Sequence, residues 1–173
     1  MRQTAFSFLK NYNRSFGGSL LHGKRKTKRP LSTKHPIHLI IKSCHKGVFA
    51  PGNRSLEKLI YETASKFNIK IYDLALNWSH IHFLIRIRAP RDYNAFIRSL
   101  TSVISLRIRK IKPDFEKIFT LRPFTRVLSW GKDFKKVFAY LVLNQLEASG
   151  FIRRNKPTKI KSKSRLNKAA SKK

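Results

Sequence analysis

The stretch IKIYDLALNWSHIHFLIRIR (69–88) decides the fold. Its two apolar runs, 69–76 and 80–88, are rich in β-branched residues, and Asn77, Trp78 and Ser79 part them. The pattern reads as two strands joined by a tight turn. Side chains alternate across a strand. In the second run Ile81, Phe83, Ile85 and Ile87 therefore share one side, and His80, His82, Leu84, Arg86 and Arg88 share the other. The first set belongs under a hydrophobic layer. The second presents two imidazoles and two guanidinium groups on the open face of a sheet.

Upstream, HPIHLIIKSC (35–44) reads as another strand, and GVFAPGNR (47–54) as a loop. Leu56, Leu59, Ile60, Ala64 and Phe67 then recur at helical spacing over 55–67. Downstream, Asp92 reads as the N-cap of a long helix marked by Tyr93, Phe96, Ile97, Leu100, Ile104, Ile108 and Ile111, with Pro113 as its stop. FTRVLSW (124–130) reads as a fourth strand, and Asp133 opens a last helix that Gly150 closes. The order is β-α-β-β-α-β-α. Its first six elements match an α+β, ferredoxin-like βαββαβ fold, in which a four-stranded antiparallel sheet carries two helices on one face. No internal repeat and no Gly/Ser linker interrupts the chain.

The charge is far from balanced. Among 173 residues, 39 Lys and Arg face 8 Asp and Glu, a formal net charge of +31. Such an excess costs stability by self-repulsion, and a polyanion offsets it; nucleic acid is the obvious one, because each neutralised phosphate releases counterions. Residues 1–34 hold nine basic residues and no acid, and residues 152–173 hold ten and no acid. These ends read as a basic N-terminal arm (1–34) and a basic tail (152–173), the tail disordered by itself, around one folded domain at 35–151. With 41% hydrophobic residues and 13 Phe, the chain has material for a core.

Cys44 is the only cysteine, so no internal disulfide and no cysteine-based zinc site is expected. It reads as a small buried apolar residue in a reducing compartment. Lys10, Asn11, Asn13 and Arg14 interrupt any signal-peptide core, and the longest apolar run, 137–143, is too short to span a membrane. A cytoplasmic, nucleoid-associated protein is the expectation.

Two histidines at i and i+2 on one strand face can share a divalent ion, and neighbouring arginines suit a phosphate chain. Equally, two solvent-facing histidines on a half-buried strand need no ligand. His35 and His38 are expected on opposite faces and His22 and His45 in loops, all four as non-ligands. The last helix, KDFKKVFAYLVLNQLEASG (132–150), carries Phe134, Val137, Phe138, Leu141 and Ala148 on one stripe. Tyr140 and Asn144 lie one turn apart at its border, with Lys136 one turn further back. A border tyrosine is ordinarily an amphipathic anchor. Here it shares a chain with a His-x-His strand and a strong bias toward polyanions.

At these residues the sequence resembles the HUH single-tyrosine transposases, in particular the REP-associated tyrosine transposases of bacteria. NWSHIHFLI (77–85) looks like the family's Asn-His-Val-His-Leu-Leu segment, and RPFTRVLSW (122–130) is similar to its strand before the last helix. YLVLNQLEASGF (140–151) resembles its Tyr-x-x-x-Asn-Pro-hydrophobic-x-Ala-Gly-Leu helix end. Two positions depart from the pattern: Ser79 stands where the family has Asn, and Gln145 replaces the Pro after Asn144.

The resemblance implies a ferredoxin-like domain with a C-terminal tyrosine-bearing helix. It implies a metal-dependent transposase that nicks and rejoins single-stranded DNA, with hairpin or palindromic repeat ends, through a covalent 5′-phosphotyrosine. Tyr140 would be the nucleophile, and His80, His82 and Asn144 would hold Mg²⁺ or Mn²⁺, with Gln145 as the competing third ligand. Arg86, Arg88, Arg122, Arg126 and Lys136 are candidates for binding DNA. The active form is expected as a monomer or a homodimer, with no membrane partner. The competing readings are a non-enzymatic nucleic-acid binder, such as a ribosome-associated protein, and an inactive domesticated relative.

Overall fold

The structure is a computed structural model that describes residues 14–21 and 27–153. His22, the first residues of the N-terminal stretch and the tail beyond Arg153 lie outside the described residues. The elements are β1 (Ser15–Phe16), β2 (Ile37–Lys42), α1 (Arg54–Lys66), β3 (Lys70–Asn77), β4 (His80–Arg86), α2 (Pro90–Ile111), β5 (Phe124–Val127) and α3 (Lys132–Ala148). From β2 to β5 the order is the expected βαββαβ, and α3 follows it.

The hairpin closes as its sequence requires. Asn77 pairs with His80 across the two-residue turn Trp78–Ser79. β3 carries a bulge: Ile71 pairs with Ile85 and Asp73 with Leu84, which leaves Tyr72 as the extra residue. The bulge resets the alternation. Ile71, Leu74 and Leu76 can then all face one core while Tyr72 and Ala75 face the other side.

Strands β5, β2, β4 and β3 lie side by side in that order, each antiparallel to its neighbour. Ile37, Leu39, Ile41, Ile81, Phe83, Ile85 and Val127 line one face. Helix α1 covers it with Leu56, Ile60 and Ala64, and α2 with Tyr93, Phe96, Leu100 and Ile104. Ile81, Phe83, Ile85 and Ile87 are thus buried under the helices, as the alternation predicts. Asn53 caps α1 by accepting the Leu56 N–H at 3.0 Å.

Four details differ from the sequence reading. The sheet has five strands, because β1 pairs with the outer edge of β5. Two residues are too few to show periodicity. What admits them is Gly17 (φ +88°), where a Cβ would lie 2.1 Å from the Pro123 carbonyl oxygen. Asp92 is not the N-cap of α2 but sits in its first turn, its carboxylate accepting the Ala89 N–H at 3.0 Å. Pro90, with no N–H to satisfy, starts the helix earlier. Ile111, placed on the apolar stripe, is exposed at the end of α2. Cys44 is exposed rather than buried, and its thiol donates to the Lys117 carbonyl at 2.8 Å.

Residues read as part of a basic arm are latched to the fold by Arg29. Its guanidinium donates to the Pro123 carbonyl at 2.9 Å and to the Thr125 hydroxyl at 2.7 Å. It also lies over the rings of Phe16 (4.5 Å) and Tyr93 (5.4 Å). Among the described residues no helix is long and apolar enough to cross a membrane.

Candidate active site

The sheet face opposite α1 and α2 is where α3 lies. Val137 and Leu141 close over Ala75, Leu84 and Leu128, a second small core. The small side chain of Ala75 admits the helix, and Leu84 supplies the apolar floor. Tyr72, Trp130 and Phe134 wedge the start of α3 in edge-to-face contacts at 5.5 and 5.8 Å. Further along, the Gln145 amide donates to the Leu74 carbonyl. The helix therefore advances along β3 toward the β3–β4 turn, where His80 begins β4.

This docking covers part of the face that the strand pattern alone leaves open. His82 is 2% exposed, and Leu84 is fully buried. The α3 stripe also shifts: Phe138, expected within it, is exposed, and Asn144 takes a buried position at 6% exposure. The helix meets a flat sheet along a narrow strip, so Val137, Leu141 and Asn144 suffice to fill it.

The same strip gathers the chemistry. The rings of His80 and His82 lie 4.7 Å apart between centroids. Tyr140, 41% exposed, stands edge-on to His82 at 5.6 Å. It stands edge-on to His38 at 6.3 Å. One turn on, Asn144 donates its Nδ2 to the Tyr140 carbonyl at 2.7 Å. Its oxygen is then the atom of this amide suited to a cation. Gln145 is turned away onto the β3 backbone.

His38, read from its sequence position as a bystander, belongs to this cluster. It sits in β2 between the core residues Ile37 and Leu39, so it points to the α3 side. It is 7% exposed and stacks on His82 with planes 13° apart and centroids 5.4 Å apart. His38 Nε2 and His82 Nδ1 share a hydrogen bond of 3.2 Å. The one sequence signal was a polar residue among the apolar residues of β2. His35 is exposed, and His45 donates to the Lys117 carbonyl at 2.9 Å, stacked on Phe115 away from the cluster.

Burial and nearby positive charge favour the neutral form of His38 and of His80. Burial, then the positive charge of Arg126 paired across from it, pulls the His38 pKa down to about 4. Burial and the facing Lys42 lower that of His80. His80 Nδ1 contacts the Ser79 hydroxyl at 3.2 Å, which leaves Nε2 for a ligand. Among the described residues no group of three or more His, Cys, Asp or Glu side chains is arranged to hold a metal ion.

The basic candidates divide. Arg126 is engaged with Asp133 at 2.8 Å at the start of α3. Arg86 donates to the Thr33 carbonyl at 3.2 Å from an exposed position. Arg88, Arg122 and Lys136 are exposed.

A family model described as "Transposase IS200 like" matches residues 32–134 of this chain. Among solved structures, a REP-associated tyrosine transposase bound to a REP hairpin is similar at 11% identity and a TM-score of 0.55, over 74% of this chain and 76% of that one. That likeness is one of fold. A protein from Deinococcus radiodurans described as a transposase is similar at 14% identity and a TM-score of 0.44, over 70% of this chain and 98% of that one. No curated protein matches the sequence.

Proposed function

The chain belongs to the IS200-like transposase family, and on that premise we propose that it is a metal-dependent, single-stranded DNA transposase acting through a covalent 5′-phosphotyrosine on Tyr140. The observation that carries this reading is the Tyr140 phenol itself, half-exposed on α3 yet edge-on to His82 and His38 from two different strands. A half-exposed side chain can reach a bulky polymer, and a packed imidazole wall orients it. Because Tyr140 meets His82 of its own chain, this geometry supports a site completed in cis.

The chemistry balances as two exchanges. The Tyr140 oxygen attacks phosphorus in line with the leaving 3′ oxygen. A tyrosyl–phosphorus bond forms, the bond from phosphorus to that oxygen breaks, and the released oxygen takes a proton to become a 3′-hydroxyl. A second 3′-hydroxyl reverses the exchange, which rejoins the strand and returns the phenol. The phosphodiester is conserved throughout; water in place of Tyr140 would lose it. A phenol has a solution pKa of about 10, so its proton needs an acceptor.

The donor set fits Mg²⁺ or Mn²⁺. His80 and His82 offer imidazole nitrogens and Asn144 an amide oxygen, a mixed set that suits a borderline-to-hard cation. When bound, such a cation would polarise the phosphoryl group and offset charge in the transition state. Exposed Arg86, Arg88 and Arg122 would track a phosphate chain, whereas Arg126 is offset by Asp133. The expected partner is single-stranded DNA with hairpin or palindromic repeat ends. The +31 charge supports a polyanion.

The test is an adduct assay. Protein and labelled hairpin-tailed single-stranded DNA are incubated with Mn²⁺ and resolved under denaturing conditions. The wild type should form a denaturant-resistant protein–DNA adduct. Tyr140→Phe should lose the adduct and keep DNA binding, and His80→Ala should lose cleavage. An adduct that persists in Tyr140→Phe removes Tyr140 as the nucleophile. A chain that only binds DNA forms none.

A further inference from the structure

We infer that His38 is a positioning residue, which accepts a hydrogen bond from His82 Nδ1 and thereby holds His82 in the tautomer whose Nε2 can ligate a cation. The inference rests on the metal reading above and adds to it a residue outside the His-x-His pair.

The argument is one of hydrogen counting. The 3.2 Å contact between His38 Nε2 and His82 Nδ1 joins two ring nitrogens, and one of them must carry the hydrogen. If His82 donates from Nδ1, its Nε2 keeps a lone pair for a cation. If His82 accepts at Nδ1, its hydrogen sits on Nε2, and that atom has nothing to give. Ligation through Nε2 and the observed contact together require the first arrangement, with the hydrogen of His38 on its own Nδ1. A ligating histidine typically has its other ring nitrogen fixed in this way, and loss of such a partner weakens metal binding about 10- to 100-fold.

The surroundings hold the pair in register. His82 lies opposite Ile40, and His38 opposite Leu84, so the two imidazoles are diagonal neighbours on adjacent strands. Their near-parallel stack fixes the relative ring orientation. Phe124 and Tyr140 stand edge-on to His38 at 6.5 and 6.3 Å and limit its rotation. Apolar Ile40 and Leu84 occupy neighbouring positions on the same face, so the fold itself would accept an apolar side chain at 38.

Two variants and one control test this. His38→Phe keeps a ring and loses the acceptor; His38→Gln keeps an acceptor oxygen at about the reach of Nε2. Mn²⁺ binding, read by electron paramagnetic resonance without DNA, should weaken at least tenfold in His38→Phe and stay within a few-fold of wild type in His38→Gln. In the metal-free protein, the ring ¹⁵N shifts of His82 should report hydrogen on Nδ1 in the wild type and His38→Gln, and a shift toward Nε2–H in His38→Phe. Wild-type affinity in His38→Phe, with loss in His82→Ala, overturns the positioning role and leaves the metal reading standing. Nε2–H on His82 in the wild type overturns it as well. Unchanged Mn²⁺ binding in His82→Ala overturns both.

Discussion

Asn144→Leu should make the protein more stable and inactive at once. Asn144 is 6% exposed on the face of α3 that also buries Val137 and Leu141. Burying its amide costs about 1–3 kcal/mol. The 2.7 Å bond to the Tyr140 carbonyl returns about 1 kcal/mol, from an oxygen the helix ladder already uses. Leucine shares the branched shape of asparagine, removes the amide penalty and buries an apolar side chain worth about 2 kcal/mol. Leucine is also the better helix former. The net expectation is a gain of about 2 kcal/mol, or roughly 4–8 °C in melting temperature for a chain of this size. Urea and thermal unfolding of the metal-free protein measure the gain, and Mn²⁺ binding and adduct formation measure the loss. A buried amide that costs stability is expected where a ligand requires it. If Asn144→Leu instead destabilises by more than about 1 kcal/mol, the amide is a structural element of the α3–sheet contact, and its assignment as a cation ligand falls.

The remaining expectations concern protonation, the N-terminal strand and DNA. Because burial holds His38 at about 4 against 6.5 when unfolded, the folded chain refuses a proton that the unfolded chain accepts. Its stabilising effect is complete above pH 6.5 and fades as pH falls toward 4, by about 3 kcal/mol; His80 acts in the same direction. Urea unfolding of the metal-free protein at pH 7.5 and 4.5 should show a smaller loss in His38→Phe than in the wild type, and an equal loss contradicts the assignment. Gly17→Ala should detach β1, since its Cβ would meet the Pro123 carbonyl and its φ is +88°. The cost is bounded by the burial of Phe16, about 2 kcal/mol, with faster hydrogen exchange at Ser15 and Phe16 and little change at β4. Arg88→Ala should flatten the salt dependence of single-stranded DNA binding by about 0.7 in log–log slope, and Arg126→Ala by less, because Asp133 already neutralises it. Equal slopes would show that the ion pair opens on binding.

The hairpin, the two covering helices and the tyrosine helix were legible because each is a local pattern. Alternation along 80–88 named the core face of β4, and 3.6-residue spacing named the buried sides of α1 and most of α2. Charge alone pointed to a polyanion. Tyr140 and Asn144 could be paired because one helical turn relates them. What escaped had no local trace. β1 is two residues long and depends on a close approach at Gly17. The Arg29 latch joins residues nearly a hundred positions apart. Phe138 and Asn144 exchanged surface and interior because the strip of α3 that is buried depends on where the helix rests. His38 looked idle because its partner lies 44 residues on, across a strand register that no single strand encodes. Sequence by itself thus determined the elements, their inward faces and the residue types available for chemistry, since backbone sterics and hydrophobic period act over a few residues. Only the tertiary structure decided which of those residues meet, because the β2–β4 register and the seat of α3 on Ala75 and Leu84 arise from packing between segments far apart in the chain.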